Sequence, residues 1–313
     1  MFYSIMEYTK NALDIPAIIA LLQSRGLAIT DTKAAESFLL HVSYFRFAAY
    51  MKPLEADHDS HRFKPSATFE QAFALYNFDA ELRKLVFDAM QKIEISLRSH
   101  IIHYFSLAHG PFWFFDEACA IDKHNYLENM NSIERELQRT KEEFIKEHNK
   151  KYGDAGFPPA WKTLEVVSFG CLTKLFINFT DIKTKKKIAR AYKLPQHEIL
   201  ESWMKSIIAL RNACAHHARI WNRTMPRMPQ LPTRLGGKWI SAASTQPNRP
   251  YAVLSCLAYW LNAIDPANTF AADFKALLAR YPSVDPAAMG VARGWENEPL
   301  WKAKDEERET KTD

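Results

Sequence analysis

At 313 residues and 36.1 kDa the chain has room for one large domain or two modest ones, since domains commonly run to about 100–200 residues. Hydrophobic residues make up 47% and charged residues 25%, a balance that excludes a disordered or collagen-like chain. The 41 lysines and arginines exceed the 36 acids by five, a bias that permits a polyanionic partner without requiring one.

Read from the N-terminus, MFYSIMEYTKNALDIPAII meets Glu7 and Lys10 before a signal-type apolar core can form. No later window approaches about 18 uninterrupted apolar residues, so the chain is expected to be cytoplasmic, with no membrane partner. Asp14 caps a first helix that runs to Arg25 and stops at Gly26. Asp31 caps the next, and KAAESFLLHVSYFRFAAYM reads as a single aromatic-rich helix closed by Pro53 and a polar loop. Thr68 and Gln71 make a capping box at the head of a long helix reaching to Gly110. Its stripe of Leu82, Leu85, Val86, Ala89, Ile93 and Leu97 has the three-four spacing of a buried face.

The mixed charges of IERELQRTKEEFIKEHNKKYG suit a solvated helix. Pro158 and Pro159 open another helix through Trp161, Leu164, Val167 and Phe169. DIKTKKKIARAYKLP then forms a short helix whose basic cluster, Lys183, Lys185, Lys186, Lys187, Arg190 and Lys193, is open to phosphate or to solvent. A last long helix is expected from about His197 to Arg223, ended by Pro226, Pro229 and Pro232. An extended loop to about Arg249, helices at Val253–Ala263 and Ala271–Tyr281, and a charged, frayed tail complete the chain. Nine glycines, 20 Phe and 12 Tyr agree with an all-α fold.

LESWMKSIIALRNACAHHARIWNR carries the chemistry. At 100° per residue, Lys205, His216, Arg219 and Arg223 fall within about 40° of Asn212, while Trp203, Ile207, Leu210, Cys214 and Trp221 cluster on the opposite face. Arg211 stands about 100° to the side among Ala215, Ala218 and Asn222, a flank small enough for another helix to approach. Between Glu201 and Asp265 there is no acid, but eight cations: Lys205, Arg211, Arg219, Arg223, Arg227, Arg234, Lys238 and Arg249. Histidine exchanges protons near neutrality, arginine forks onto phosphate oxygens and stabilises developing charge, and asparagine can orient either. The plainer reading is a pair of histidines at the edge of a core. Metal chemistry has no support, because His216 and His217 diverge by about 100° and no acid lies nearby. Cys119, Cys171, Cys214 and Cys256 have no C-x-x-C spacing, which fits a reducing compartment. No P-loop, Rossmann glycine pattern or G-x-S-x-G elbow occurs, and no cofactor is expected.

With LLQSRGLAI, HVSYFRFAAYMKP, TFEQAFALYNFDAELRKLVFDAMQKIEISLRSHI, PPAWKTLEVVSFGCLTKLF, RNACAHHARIWNR and MGVARGWENEPLW in this order, the chain resembles the Abi-like (AbiD/AbiF) family of abortive-infection proteins, placed in the HEPN superfamily. The resemblance implies an all-α, HEPN-type helical bundle elaborated with additional N- and C-terminal helices. It spans residues 1–313 as a single domain: N-terminal helices over 1–66, a core over 67–223 with a charged helical insertion about 122–152, a loop and C-terminal helices over 224–300, and a disordered tail over 301–313.

RNACAH fits the shortest form of the R-x4-6-H motif of HEPN ribonucleases. The resemblance thereby implies metal-independent RNA cleavage at a site shared by two copies, with Arg211 on the scissile phosphate, His216 in proton transfer and Asn212 orienting one of them. His217, Arg219, Asn222 and Arg223, with Lys205 and Arg227, are implied RNA contacts; Trp221 falls on the apolar face and equally suits the core. Glu94 and Arg98 match another family landmark, either as a plain i, i+4 pair or as supports of the same cleft. The expected partners are RNA, as substrate or as a structured non-coding RNA, a second copy of the chain, and an RNA or protein antitoxin. An RNA-cleaving phage-defence toxin is the first reading, a non-catalytic RNA-holding or scaffolding protein the alternative.

Overall fold

The computed structural model describes residues 11–153 and 156–302. The expectations for the first ten residues and for the tail after Lys302 lie outside them. The structure is 64% helical, with one two-stranded sheet among the described residues, and the fold is all-α. No helix among the described residues is long and apolar enough to cross a membrane. The chain divides into two compact units: Met1–Ala80 with Tyr281–Val284, and Glu81–Arg280 with Asp285–Asp313.

In the first unit, helix α1 (Ile15–Ser24) is capped by Asp14, whose carboxylate accepts from Ala17 N at 2.8 Å. It ends in a Schellman pattern: Gly26 N donates to Gln23 O and Leu27 N to Leu22 O, with Gly26 at φ 95°. The segment read as one helix after Asp31 is two, α2 (Thr32–His41) and α3 (Tyr44–Met51). Ser43 breaks it, turning its hydroxyl onto Arg46 N as a new N-cap. The bend brings Phe47 against Phe38 at 4.9 Å and buries Tyr50, whose hydroxyl donates to the buried Asp79 at 2.6 Å. The polar loop contains a short hairpin, β1 (Glu55–Asp57) antiparallel to β2 (Arg62–Phe63), too brief for strand periodicity to reveal.

Helix α4 (Phe69–His109) begins at the expected capping box: Thr68 N donates to Gln71 Oε1 and Gln71 N to Thr68 Oγ1. Beyond Ala80 it belongs to the second unit, where Leu82, Val86, Ala89, Ile93 and Leu97 are buried and Leu85 is partly so. The charged stretch is again two helices, α5 (Lys123–Arg139) and α6 (Glu143–Tyr152). They are not wholly solvated: α5 buries Tyr126, Asn129, Met130 and Ile133. Short α7 (Ala160–Val166) is separated from α8 (Phe169–Asn178) by Ser168, which caps α8 through Cys171 N.

Asp181 caps α9 (Ile182–Ala191). Partial burial pushes its carboxyl up, but hydrogen bonds from Thr184 and His109 outweigh this and bring it down to about 2. Helices α10 (His197–Ala215), α11 (Pro250–Ile264) and α12 (Phe270–Arg280) complete the unit. Every residue of α11 from Pro250 to Leu261 is buried. Its Tyr259 and Trp260 pack on Trp203 of α10 at 5.7 and 5.9 Å, and Trp203 also stacks on Trp239 from the loop. Trp301, which the sequence reading assigns to a disordered tail, is wholly buried among Tyr251, Phe274 and Trp295. Trp295 apart, its aromatic neighbours Tyr251 and Phe274 lie far away in the chain.

Candidate active site at the carboxyl end of α10

Through Ala215 the helical wheel holds. Trp203, Ile207, Leu210 and Cys214 are buried, and Lys205 and Asn212 are exposed on the other side. The helix does not continue to Arg223. His216 N donates to Asn212 O, His217 N to Cys214 O and Ala218 N to Ala213 O, a second Schellman pattern in which His217 takes the left-handed position at φ 53°. The turn frees the chain to bury Ile220 and Trp221, and Trp221 Nε1 donates to Asp285 O at 3.4 Å. Trp221 is therefore a core residue, reached through a loop and not along a helical face. Two anchored side chains within four residues of Ala218 redirect the backbone more strongly than helix periodicity retains it.

The loop then turns back along α10. Asn222, at φ 52°, accepts from Arg249 Nη1 at 3.1 Å. Met225 N donates to Asn248 O, Gln230 N to Ser202 Oγ, and Trp203 Nε1 to Gln230 O at 2.7 Å. This stitching is tertiary, and it carries the acid-free segment over the second unit.

At the helix end stand the motif residues. Arg211 is half-buried, with Nη1 3.5 Å from Asn212 Oδ1, while Asn212, His216 and His217 are exposed. Asn212 and His216 are joined through one backbone hydrogen bond of 3.0 Å, which sets them one turn apart. Arg219 and Arg223 leave the polar stripe, because they follow the turn; both are half-buried, and Arg223 Nη1 reaches Arg219 O at 3.5 Å. Arg227 is exposed in the loop, and Lys205 is exposed two turns before Asn212. The arrangement offers a proton carrier, a guanidinium and an amide on an open surface. Among the described residues no three His, Cys, Asp or Glu side chains gather as a metal ion would need.

Glu94 and Arg98 form the intrahelical pair, Arg98 Nη2 to Glu94 Oε1 at 3.0 Å. Arg98 is buried and spends its other donors on carbonyls at the end of α7, Leu164 O and Val167 O, the latter at 2.9 Å. It closes orphan acceptors of that helix. Lys185, read with the basic cluster, points inward: it is 2% exposed and donates to Glu201 at 2.9 Å and to Ile177 O at 2.8 Å. Burial holds its ammonium below the ordinary lysine range even though Glu201 favours the charge. Lys183, Lys186, Lys187, Arg190 and Lys193 remain exposed. Glu201, the last acid before the acid-free run, was the one sequence signal that a lysine one helix away needed a partner.

A sequence model of the Abi-like protein family matches residues 37–222. The match begins within α2 and ends just past the buried Trp221, so it takes in α4, its Glu94–Arg98 pair and the whole motif at the end of α10. No match was found among curated proteins or among solved structures. Covering well over half of the chain and all of the motif-bearing helix, the family match assigns this protein to the Abi-like protein family.

Proposed function

We propose that this protein acts in phage defence by abortive infection, as its family suggests, and that it does so as a HEPN-type endoribonuclease. The observation that carries the reading is that half-buried Arg211 and exposed Asn212 and His216 stand together at the terminus of α10, within a segment free of acids. An RNA strand brings its own nucleophile. His216 would take the proton of a 2′-hydroxyl as that oxygen attacks the adjacent phosphorus, while Arg211 neutralises the charge gathering on the non-bridging oxygens. Asn212 would hold Arg211 or the phosphate in register. The P–O5′ bond breaks, the leaving oxygen takes up a proton from a second copy's site or from water, and the ends are a 2′,3′-cyclic phosphate and a 5′-hydroxyl. An open site of this kind is suited to completion by a second copy beside exposed Ala215.

The test is RNA cleavage by the purified chain in the presence of a chelator. Cyclic phosphate ends are expected, and Arg211→Ala and His216→Ala should each lower the rate by about 10²–10⁴-fold with unchanged thermal melting. Variants that cleave like the parent would sink the enzyme reading. The exposed cations of α9 and the loop, well beyond the Arg/His pair, favour RNA holding as the second reading. It predicts salt-dependent RNA binding that survives both substitutions.

A further inference from the structure

The loop that follows the Arg/His motif is met by a residue from beyond the family match, Arg249. Arg249 caps α11, its amide donating to Gln246 O at 3.2 Å and its carbonyl accepting from Ala252 N at 3.2 Å. From that fixed backbone the side chain crosses Gly290, which stands at φ 84° after a short turn over Pro286–Met289. A Cβ placed on Gly290 would lie 2.5 Å from Arg249 Cβ and 2.9 Å from Cγ, so glycine alone suits both the space and the backbone. Past the crossing, Arg249 Nη1 donates to Asn222 Oδ1 at 3.1 Å. Asn222 is itself held on both sides: Trp221 Nε1 donates to Asp285 O, and Met225 N to Asn248 O. Two distant segments of the second unit thus aim one guanidinium at the loop.

That guanidinium has no acid beside it. Among the described residues Arg249 forms no ion pair, and its one side-chain hydrogen bond goes to a neutral amide, although the residue is half-buried. None of residues 202–264 is acidic, and Asp285, in the segment that Trp221 touches, turns its carboxylate to Ala287 N at 2.9 Å. An arginine has more N–H donors than one amide oxygen uses, and the rest are open to a ligand. A partly desolvated cation without a counter-charge is costly to hold, and a phosphate would neutralise it through a bidentate fork. The motif is close along the chain. Asn222 follows His216 by six positions, a contour of at most about 20 Å. Arg219 and Arg223, both half-buried, lie in the same loop, so Arg249 extends a line of cations leading from the α10 terminus.

We infer that Arg249 binds an RNA phosphate flanking the one at Arg211, with Asn222 and Gly290 as the residues that position its guanidinium. The inference rests on the RNA reading of the α10 terminus, though not on cleavage there. Binding of a short fluorescent single-stranded RNA to the full chain carrying His216→Ala, read by anisotropy across a salt series, tests it. Arg249→Gln should weaken binding by about tenfold. It should also flatten the log–log salt dependence by about 0.7, the share of one phosphate contact on a single strand. Arg249→Lys, which keeps the charge, should recover that slope. Gly290→Ala removes no charge but should weaken binding as well, because its methyl group displaces Arg249. Melting temperatures of the variants separate these effects from a loss of fold. An Arg249→Gln variant that melts like its parent and keeps the parent's affinity and slope overturns the inference. If Arg211→Ala weakens binding in that comparison, the reading of the α10 terminus stands without it. If neither variant weakens binding, or no RNA binds, both fall.

Discussion

Three helices close with the same pair of hydrogen bonds, yet the residue in the left-handed position differs: Gly26 after α1, Lys193 after α9 and His217 after α10. A side chain there costs about 1–2 kcal/mol against the right-handed regions, and glycine avoids most of it. The turn after α10 stands within the candidate site, as expected where a side chain is retained for what it contacts and not for the turn. His217→Gly should therefore leave the melting temperature unchanged or raise it, by up to about 1 kcal/mol of stability. His217→Val should lower it by about 1–2 kcal/mol, since a β-branched residue is the poorest fit to positive φ. Thermal or urea unfolding of both checks the order; a valine variant as stable as the glycine one would show that the turn carries no strain.

At the scale of elements, Arg98 ties α4 to α7. Its guanidinium faces Glu94 on its own helix and two carbonyls at the far end of a seven-residue helix. Arg98→Met keeps most of the volume but leaves Leu164 O and Val167 O without a donor, a loss of about 3 kcal/mol. Glu94 is 24% exposed and can rehydrate, so it adds little to that figure. Arg98→Lys should lose about half as much, because an ammonium can serve one carbonyl but cannot fork across the group. Denaturant unfolding measures both. Any fall in RNA cleavage that tracks stability alone would assign Arg98 to the scaffold, whereas a fall at full stability would bring it into the site.

For the whole molecule the family match stops at Asn222, but the second unit does not. Trp203, at the centre of α10, is covered by Trp239, Tyr259 and Trp260, all of which lie beyond the match. Each large side chain withdrawn from water contributes roughly 1.5–3 kcal/mol. Uncovering several of them would consume a stability that totals about 5–15 kcal/mol. A chain ending at Asn222 should thus show no cooperative thermal transition and a weak near-ultraviolet dichroism signal. A sharp transition in that shortened chain would mean that the loop, α11 and α12 are an accessory to a self-sufficient core.

The sequence alone determined the all-α class, several helix starts and the residues of the Arg/His motif. Asp14, Asp31 and Thr68 act on amides three residues away, and buried stripes repeat every three or four positions. Such signals are complete within one or two turns and are legible in a linear chain. The breaks at Ser43 and Ser168 were harder, because helical and non-helical readings differ there by a single cap. Only the tertiary structure decided that α10 stops at Ala215, that Lys185 turns inward to Glu201, and that Trp221 and Trp301 are core. Each of those outcomes depends on a partner many residues away, such as Gln230 for Trp203 or Asp285 for Trp221, and burial by remote chain outweighs local periodicity where the two compete.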